Sequence, residues 1–312
     1  MMTEQPVPVL EEKYYQNVVL GDFYVSAITD KKHTSNIISS LTEERPLKEF
    51  SYLKRVRSTS RDGNLQVLLC YKEEISSHCV GLESVVDTDK QYTQHLTKPY
   101  LVKVPINPPL TKKQYAESCL YWPCSFHEDK QITKLLSGKY FNDKELSVIN
   151  ENMKRTVEMA EIAKKKNQKT IGAVITDPTS NTVIAKSHDL RLKDYPLQHA
   201  VMVGIDLVAQ SQGGGMWNID DPDQYHNKSI KEDGTEEKTT IKTGPYLCTG
   251  YDLYVTQEPC VMCAMALVHS RIKRVFYIHN DKEGALGTCY KVHTEKGLNH
   301  HYSVFQFQYN PT

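Results

Sequence analysis

The sequence predicts an α/β fold: a C-terminal three-layer domain, in which helices flank a mixed sheet, preceded by a small α+β domain. The C-terminal half alternates amphipathic helical stretches with short apolar runs, in the order α-β-β-α-β-α-β. The N-terminal half carries strand-like runs between weaker helical stretches. Prolines 105, 108 and 109 separate the halves. With 312 residues, two domains are the expected arrangement.

The C-terminal domain, residues 146–312, has the clearer pattern. Helical periodicity marks three helices, at Leu146–Lys166, His199–Gln210 and Val261–Ile272. Four apolar runs of strand length lie between and after these helices: Thr170–Thr176, Thr182–Ser187, Tyr251–Thr256 and Lys273–Ile278. Residues 211–244 interrupt the pattern with three consecutive glycines and many charges, so we expect a mobile surface insertion there.

The N-terminal domain, residues 1–104, is expected to be a small sandwich of the split βαβ, ferredoxin-like type. Its predicted strands are Phe23–Ile28, Leu65–Tyr71, Tyr100–Val104 and a shorter one at Leu53–Val56. Helical stretches lie at Asn36–Leu41 and Leu82–Leu96. Residues 105–145, which include the segment YWPCSFH, are expected to form a linker.

Composition narrows the classes of protein. Equal numbers of basic and acidic residues give no net charge, so nucleic-acid binding requires local basic patches. No apolar run approaches the ~18 residues of a membrane span, so no membrane partner is expected. The N-terminus lacks the pattern of a secretory signal, and we expect the protein in the nucleus and cytoplasm. In those compartments, six scattered cysteines are expected to be buried, reduced thiols: Cys70, Cys79, Cys119, Cys124, Cys248 and Cys289.

The remaining two cysteines form a Cys-x-x-Cys pair, Cys260 and Cys263, directly after Pro259 at the start of a predicted helix. This spacing puts both sulfurs on one helix face, and the helix N-terminus favours thiolates. A redox pair and a metal site both fit the pair alone. Likewise, an isolated histidine such as His199 is more often a satisfied core residue than a ligand. Together, however, a histidine opening one helix and Pro-Cys-x-x-Cys opening another match the zinc deaminase signature.

Residues 146–312 resemble the cytidine-deaminase-like family, and two stretches, YPLQHAVMVGIDLVA and YVTQEPCVMCAMALVHSRIKRVFY, resemble its tRNA adenosine deaminase branch. The resemblance implies one structural Zn²⁺ held by His199, Cys260 and Cys263. It also places the proton-shuttling glutamate of the family at Val201. The alternative, that Val201 is an ordinary helix residue and the glutamate lies elsewhere, stays open at this stage. YWPCSFH also resembles the segment before the deaminase domain in the inactive subunit of this branch.

A valine can neither deprotonate a zinc-bound water nor protonate a leaving group, and both are required for deamination. The resemblance therefore implies a catalytically inactive regulatory subunit. Its partner would be a catalytic tRNA adenosine deaminase subunit carrying H-x-E, and the heterodimer would convert adenosine to inosine at the tRNA wobble position. Glu258, before Pro259, is predicted to lie on a different element, where it would not face the water in the same way.

The N-terminal domain is the candidate tRNA-binding region, and its densest basic cluster comprises Lys54, Arg55, Arg57 and Arg61. On a strand at Leu53–Val56, Arg55 and Arg57 would share a face suited to phosphate contacts. The competing interpretation is a solvated edge strand whose charges discourage aggregation.

Three hypotheses for the whole chain remain. The first is the RNA-capturing, inactive deaminase subunit. The second is a self-sufficient nucleoside or nucleotide deaminase with another acid–base residue. The third is a zinc-stabilised interaction module without an enzymatic role.

Overall fold

A computed structural model describes residues 5–59, 63–75, 85, 90–192, 195–219, 221–226 and 245–308. The chain forms two compact units, one of residues 12–133 and one of residues 1–11 with 134–312. The helices and strands, in chain order, are β1 Val7–Pro8, β2 Leu20–Ile28, α1 Thr34–Glu44, β3 Val56–Ser58, β4 Leu65–Tyr71, β5 Tyr100–Pro105, α2 Lys112–Tyr121, α3 Lys130–Leu136, α4 Asp143–Lys165, β6 Gly172–Asp177, β7 Thr182–His188, α5 Ala200–Ser211, β8 Tyr225–His226, β9 Asp252–Gln257, α6 Val261–His269, β10 Arg274–His279 and β11 Ser303–Gln306.

The C-terminal unit contains a mixed sheet in the order β1-β11-β10-β9-β6-β7-β8. Strand β10 runs parallel to β9 and β11, whereas β6 runs antiparallel to both β7 and β9. Alternate residues of the central strands face opposite layers, as the pleat of a strand requires. Val174, Tyr254 and Phe276 pack under α4, while Ile175 and Val255 pack under α5 and α6. The predicted three-layer fold is confirmed.

Two features of this sheet were not predicted. Its edge strand β1 comes from the start of the chain, because Val7 and Pro8 pair antiparallel with Gln306 and Phe305. Its opposite edge strand, β8, lies inside the expected mobile insertion.

The first part of that insertion is ordered against the core, so the prediction for residues 211–244 was too broad. Trp217 and Ile219 pack on the main apolar cluster, and the Asp206 carboxylate accepts hydrogen bonds from the backbone N–H groups of Met216 and Trp217. The sequence did not predict this packing, because Trp217 and Ile219 are two isolated apolar residues without a helical or strand periodicity. Residues 227–244 lie outside the described residues.

The N-terminal unit contains a four-stranded sheet in the order β3-β4-β2-β5, with every neighbouring pair antiparallel. This is the strand order and direction of the split βαβ, ferredoxin-like arrangement that the sequence predicts. Helix α1 covers one face, where Ile37 and Leu41 pack on Val67 and Leu69. Most of the predicted helical stretch at 82–96 falls outside the described residues, and its end is a short 3-10 helix, Gln91–His95.

The other face of this sheet is covered by the segment predicted to be a linker. Trp122 is fully buried against Phe23, Val25 and Leu68, and its indole N–H donates to the Lys54 carbonyl oxygen at 2.6 Å. Helix α2 lies in the same unit, and Leu53 forms a bridge with Cys124. Residues 105–133 are therefore a structural layer of the N-terminal unit, and the boundaries predicted at 104 and 145 were wrong.

No helix of the described residues is long and apolar enough to cross a membrane. The described cysteines are all free thiols, as predicted, although Cys119 and Cys289 are exposed instead of buried. Cys79 lies outside the described residues.

Candidate metal centre

Three side chains meet where helices α5 and α6 begin. His199 occupies the N-cap position of α5, Cys260 occupies the N-cap position of α6, and Cys263 lies in the first turn of α6. One ligand atom from each lies within 4.8 Å of the others. The structure thus brings together the three residues that the sequence singled out, from positions more than 60 residues apart.

The spacing of these atoms fits a zinc ion. Nδ1 of His199 lies 3.6 Å from Sγ of Cys260 and 3.6 Å from Sγ of Cys263. Tetrahedral zinc, with Zn–S bonds of ~2.3 Å and Zn–N bonds of ~2.0–2.1 Å, separates nitrogen from sulfur by about 3.6 Å. Two thiols and an imidazole are also the soft donor set that zinc prefers.

The two sulfurs differ in their proton affinity. A hydrogen bond from Cys263, together with His199, lowers the pKa of the Cys260 thiol to about 3. The same hydrogen bond and burial raise the pKa of the Cys263 thiol well above its ordinary value. One of the pair is therefore ready to bind a cation as a thiolate, and the second releases its proton when a metal binds.

Close packing holds α5 in place behind the site. Gly204 faces the sheet, where an added Cβ would lie 3.0 Å from Oγ of Ser187 and 3.3 Å from Cδ1 of Ile175. The Ser187 hydroxyl donates to the carbonyl oxygen of Ala200 at 2.8 Å, which ties the first turn of α5 to β7. His199 is positioned by both contacts.

Val201 follows His199 by two residues and is 3% exposed, inside the main apolar cluster. It has no group that accepts or donates a proton. The site therefore combines a complete set of zinc-binding side chains with an aliphatic side chain at the position where the family resemblance puts the catalytic glutamate.

Glu258 does not replace the missing acid. Its buried carboxylate accepts hydrogen bonds from the backbone N–H groups of Leu286 at 2.9 Å and Thr288 at 3.0 Å, and from Asp281 at 3.2 Å. Gly284 lies so close that an added Cβ would sit 2.1 Å from the Glu258 carboxyl carbon. Glu258 thus organises the loop of residues 281–288, a role that sequence reasoning did not find.

The sequence also did not predict an ion pair between Asp189 and Arg191, next to the metal centre. Arg191 Nε donates to both carboxylate oxygens of the fully buried Asp189, at 3.0 and 2.8 Å. Both charges lie near enough to Cys263 to act on its pKa, in opposite directions. Asp189 and Arg191 shape the loop that leads into His199. An Asp-x-Arg sequence is too common to predict such an ion pair.

The basic cluster of the N-terminal unit is built differently from the prediction. Strand β3 begins at Val56, so Arg55 lies before it, and the Arg55 guanidinium donates to the carbonyl oxygens of Leu41 and Arg45 at the end of α1. Burial lowers its pKa to about 10. Arg55 therefore supports the fold instead of facing solvent.

Arg57 is also engaged within the unit. Its guanidinium stacks on the Trp122 ring at 4.3 Å, Nε donates to Gln66 at 2.7 Å, and Nη1 donates to the Tyr121 carbonyl oxygen. Lys54 is exposed. Arg61 lies outside the described residues. Arg55 and Arg57 thus use their guanidinium groups in different contacts within the unit, and phosphate binding by the cluster stays a prediction.

Comparison with known families identifies both units. Residues 146–279 match the family model of the cytidine and deoxycytidylate deaminase zinc-binding region, and residues 21–122 match that of the tRNA-specific adenosine deaminase TAD3 N-terminal domain. The second match ends at Trp122, in agreement with its burial in the N-terminal unit.

Whole-length relatives agree with these matches. The human "probable inactive tRNA-specific adenosine deaminase-like protein 3" is 40% identical over 97% of this chain and 89% of its own length. The fission yeast "tRNA-specific adenosine deaminase subunit tad3" is 29% identical over 93% of this chain and 83% of its own length. The budding yeast subunit TAD3 is 28% identical, with corresponding shares of 89% and 80%. The chain therefore belongs to the family of TAD3-type, inactive tRNA-specific adenosine deaminase-like proteins.

Proposed function

We propose that this chain is the non-catalytic, zinc-binding subunit of a heterodimeric tRNA-specific adenosine deaminase, which makes inosine at the tRNA wobble position. The observation that carries the proposal is the buried Val201 beside an intact Cys₂His set. The names of the relatives, inactive in vertebrates and a deaminase subunit in yeasts, support the same assignment.

The partner is a catalytic subunit that carries H-x-E and supplies the proton-shuttling glutamate in its own zinc site. This division of labour explains why the present chain keeps its metal-binding residues without the acid–base residue. The complex is proposed to work in the nucleus and the cytoplasm.

The zinc of this chain is proposed to be structural, with one ion held by His199, Cys260 and Cys263. A bound zinc ion would supply a cross-link between the starts of α5 and α6, and it would neutralise the two thiolates. The residues of this chain supply only positioning, because Val201 cannot move a proton and Glu258 is committed to the loop of residues 281–288.

The N-terminal unit is proposed to hold the body of the tRNA, since Lys54 is exposed among the described residues of the predicted cluster. Arg55 and Arg57 contribute by keeping α1 and Trp122 in place, not by phosphate contact. Both faces of the four-stranded sheet are covered by described residues, which argues against base stacking on an open sheet.

The decisive experiment is co-expression of this chain with candidate catalytic subunits, followed by an inosine assay on full-length tRNA. We expect editing by the complex, none by this chain alone, and none by a complex whose partner has its H-x-E glutamate changed to glutamine. Robust turnover by the chain alone would favour a self-sufficient deaminase. A stable complex that edits no better than the partner alone would favour a simple interaction module.

A further inference from the structure

A second group of possible metal ligands lies in the N-terminal unit, far along the chain from the Cys₂His set. Asp30, His33 and His95 come from two segments, and one ligand atom from each lies within 4.8 Å of the others. Asp30 and His33 follow β2, while His95 ends the short 3-10 helix Gln91–His95.

Backbone pairing sets the two segments side by side. The Thr29 N–H donates to the carbonyl oxygen of His95 at 2.9 Å, and the Thr97 N–H donates to that of Ala27 at 3.0 Å. Ile28 and Leu96 form an antiparallel bridge between these bonds. The approach of His95 to Asp30 and His33 is therefore built into the backbone and does not depend on chance side-chain positions.

The two imidazole rings stack 3.9 Å apart, with an angle of 8° between their planes. Nε2 of His33 lies 3.7 Å from Oδ2 of Asp30, and both side chains are 43% exposed. Oδ1 of Asp30 accepts the Lys32 N–H at 3.0 Å, which fixes the carboxylate while Oδ2 faces His33. The amide nitrogen of Gln94 lies 3.2 Å from Nε2 of His95.

We propose that Asp30, His33 and His95 bind one divalent transition-metal ion, such as Zn²⁺, independently of the Cys₂His set. Two imidazoles and one carboxylate are ligands that zinc, nickel and copper accept, with water completing the coordination. Tetrahedral binding needs ligand atoms about 3.4 Å apart, so the stacked rings must turn about their side-chain bonds. Their exposure at the surface leaves room for that rotation.

The affinity of this second site is expected to be lower than that of the Cys₂His set, because it lacks thiolates and Lys31 and Lys32 lie beside it. A metal bound here ties the segment after β2 to the segment before β5. Because the affinity is lower, occupancy of this site is exchangeable, and the metal stiffens the N-terminal unit.

The test is a metal titration of the full chain, after its tightly held zinc is in place and loose metal is removed. We expect the parent to take up one further equivalent of Zn²⁺. His33→Gln and His95→Gln should each weaken this uptake at least tenfold, and Asp30→Asn should weaken it less. His127→Gln, which removes an exposed histidine of the same unit, is the matched control and should bind as the parent does.

A parallel titration with Co²⁺ separates the two sites, because only the Cys₂His site produces absorption from thiolate-to-metal charge transfer. The second equivalent is expected to add none. The proposal is overturned if the parent takes up no further metal, or if the histidine variants bind as tightly as His127→Gln. Since the two histidines lie on different segments, either variant decides the question if the other fails to fold.

Discussion

Val201 is a buried aliphatic side chain at the position where the family resemblance puts the proton-shuttling glutamate. Two residues upstream, Nδ1 of His199 lies 3.6 Å from the sulfurs of both cysteines. One helix turn thus contains a side chain that can bind a metal and another, Val201, that cannot transfer a proton. Metal binding needs only the first turns of two helices, whereas deamination needs an acid–base group in addition. Under the proposed function, this one side chain accounts for the absence of deamination while the metal-binding side chains are kept.

Restoring the carboxylate is not expected to restore activity. Val201→Glu places a charge where the native side chain is 3% exposed, which lowers stability, and the surrounding pocket has had no need to remain suited to a substrate. We predict no inosine above background from the chain carrying Val201→Glu, together with a lower unfolding temperature. Val201→Gln is the matched control, and turnover clearly above that control would contradict the prediction.

Arg55 and Lys54 are neighbours in sequence, but the Arg55 guanidinium bonds to the end of α1 whereas the Lys54 side chain is exposed. Arg55→Ala leaves the carbonyl oxygens of Leu41 and Arg45 without their donor, and we expect it to cost the N-terminal unit about 1–3 kcal/mol of unfolding free energy. Lys54→Ala, at an exposed side chain, should change it by less than about 0.5 kcal/mol. Urea unfolding measures both. Equal stability of the two variants would show that Arg55 does not support α1.

Helices α5 and α6 share a candidate metal centre at their N-termini. Their hydrophobic sides already pack on the sheet, but their first turns bring two sulfurs and an imidazole together at the candidate zinc centre. The third helix of this unit, α4, lies on the other side of the sheet and has no part in the site.

Cys263→Ala is therefore expected to lose the metal. We expect zinc content to fall from about one ion per chain to near zero in dialysed protein, with loss of folding and partner assembly. Cys248→Ala, a buried free cysteine outside the site, is the control and should keep its zinc. Metal analysis combined with a pull-down of the partner checks both, and full zinc retention by Cys263→Ala would exclude this site.

In the N-terminal unit, the segment that ends at Trp122 holds the sheet and its neighbouring loop together. This indole covers one face of the four-stranded sheet, supports the Arg57 guanidinium and donates to Lys54. Because this face is covered, the proposed RNA contacts of the unit would be limited to its edges and loops.

Trp122→Ala is predicted to lower the unfolding free energy of this unit by about 3–5 kcal/mol, because it empties a fully buried site. Tyr121→Ala, next to it but 37% exposed, should cost far less. Thermal unfolding of both variants gives the comparison. If they lose the same stability, Trp122 is not the residue that holds the covering segment.

On the scale of the whole molecule, the chain starts and ends in the same unit. The Val9 N–H donates to the Val304 carbonyl oxygen at 2.9 Å, and Nζ of Lys291 donates to the Leu10 carbonyl oxygen at 2.8 Å. Nε2 of the buried His293 lies 2.8 Å from the carbonyl oxygen of Val9. The N-terminal segment therefore closes the edge of the sheet that β11 would otherwise expose.

Deleting residues 1–11 is expected to destabilise the deaminase-like unit and to increase aggregation, because an unpaired strand edge pairs readily with other chains. The N-terminal unit, which begins at residue 12, should unfold as in the full chain. Hydrogen exchange resolves the two units, and faster exchange confined to β11 and β10 is the expected result. Unchanged exchange there would mean that β1 contributes nothing to the sheet.

Short-range patterns in the sequence predicted most of the secondary structure of the C-terminal unit. Alternation of apolar residues located the strands and helices of the C-terminal unit within a few residues, because secondary-structure periodicity is local. The helix starts at His199 and Cys260 were also marked locally, but the zinc deaminase signature and the family resemblance were needed to name His199, Cys260 and Cys263 as ligands. The family resemblance also places the proton-shuttling glutamate at Val201, and this stays a prediction.

Other features were decided only by the tertiary structure, because they join residues that are distant in the chain. Arg57 bonds to a carbonyl 64 residues away, and Lys291 bonds to one 281 residues away. Trp122 appeared as part of a linker, since no local pattern shows that a sheet face needs a cover. For the same reason, the sequence suggested that Arg55 binds phosphate, and only the structure shows its contact with the end of α1. Charge and spacing alone cannot distinguish a solvent-facing arginine from one that caps a helix.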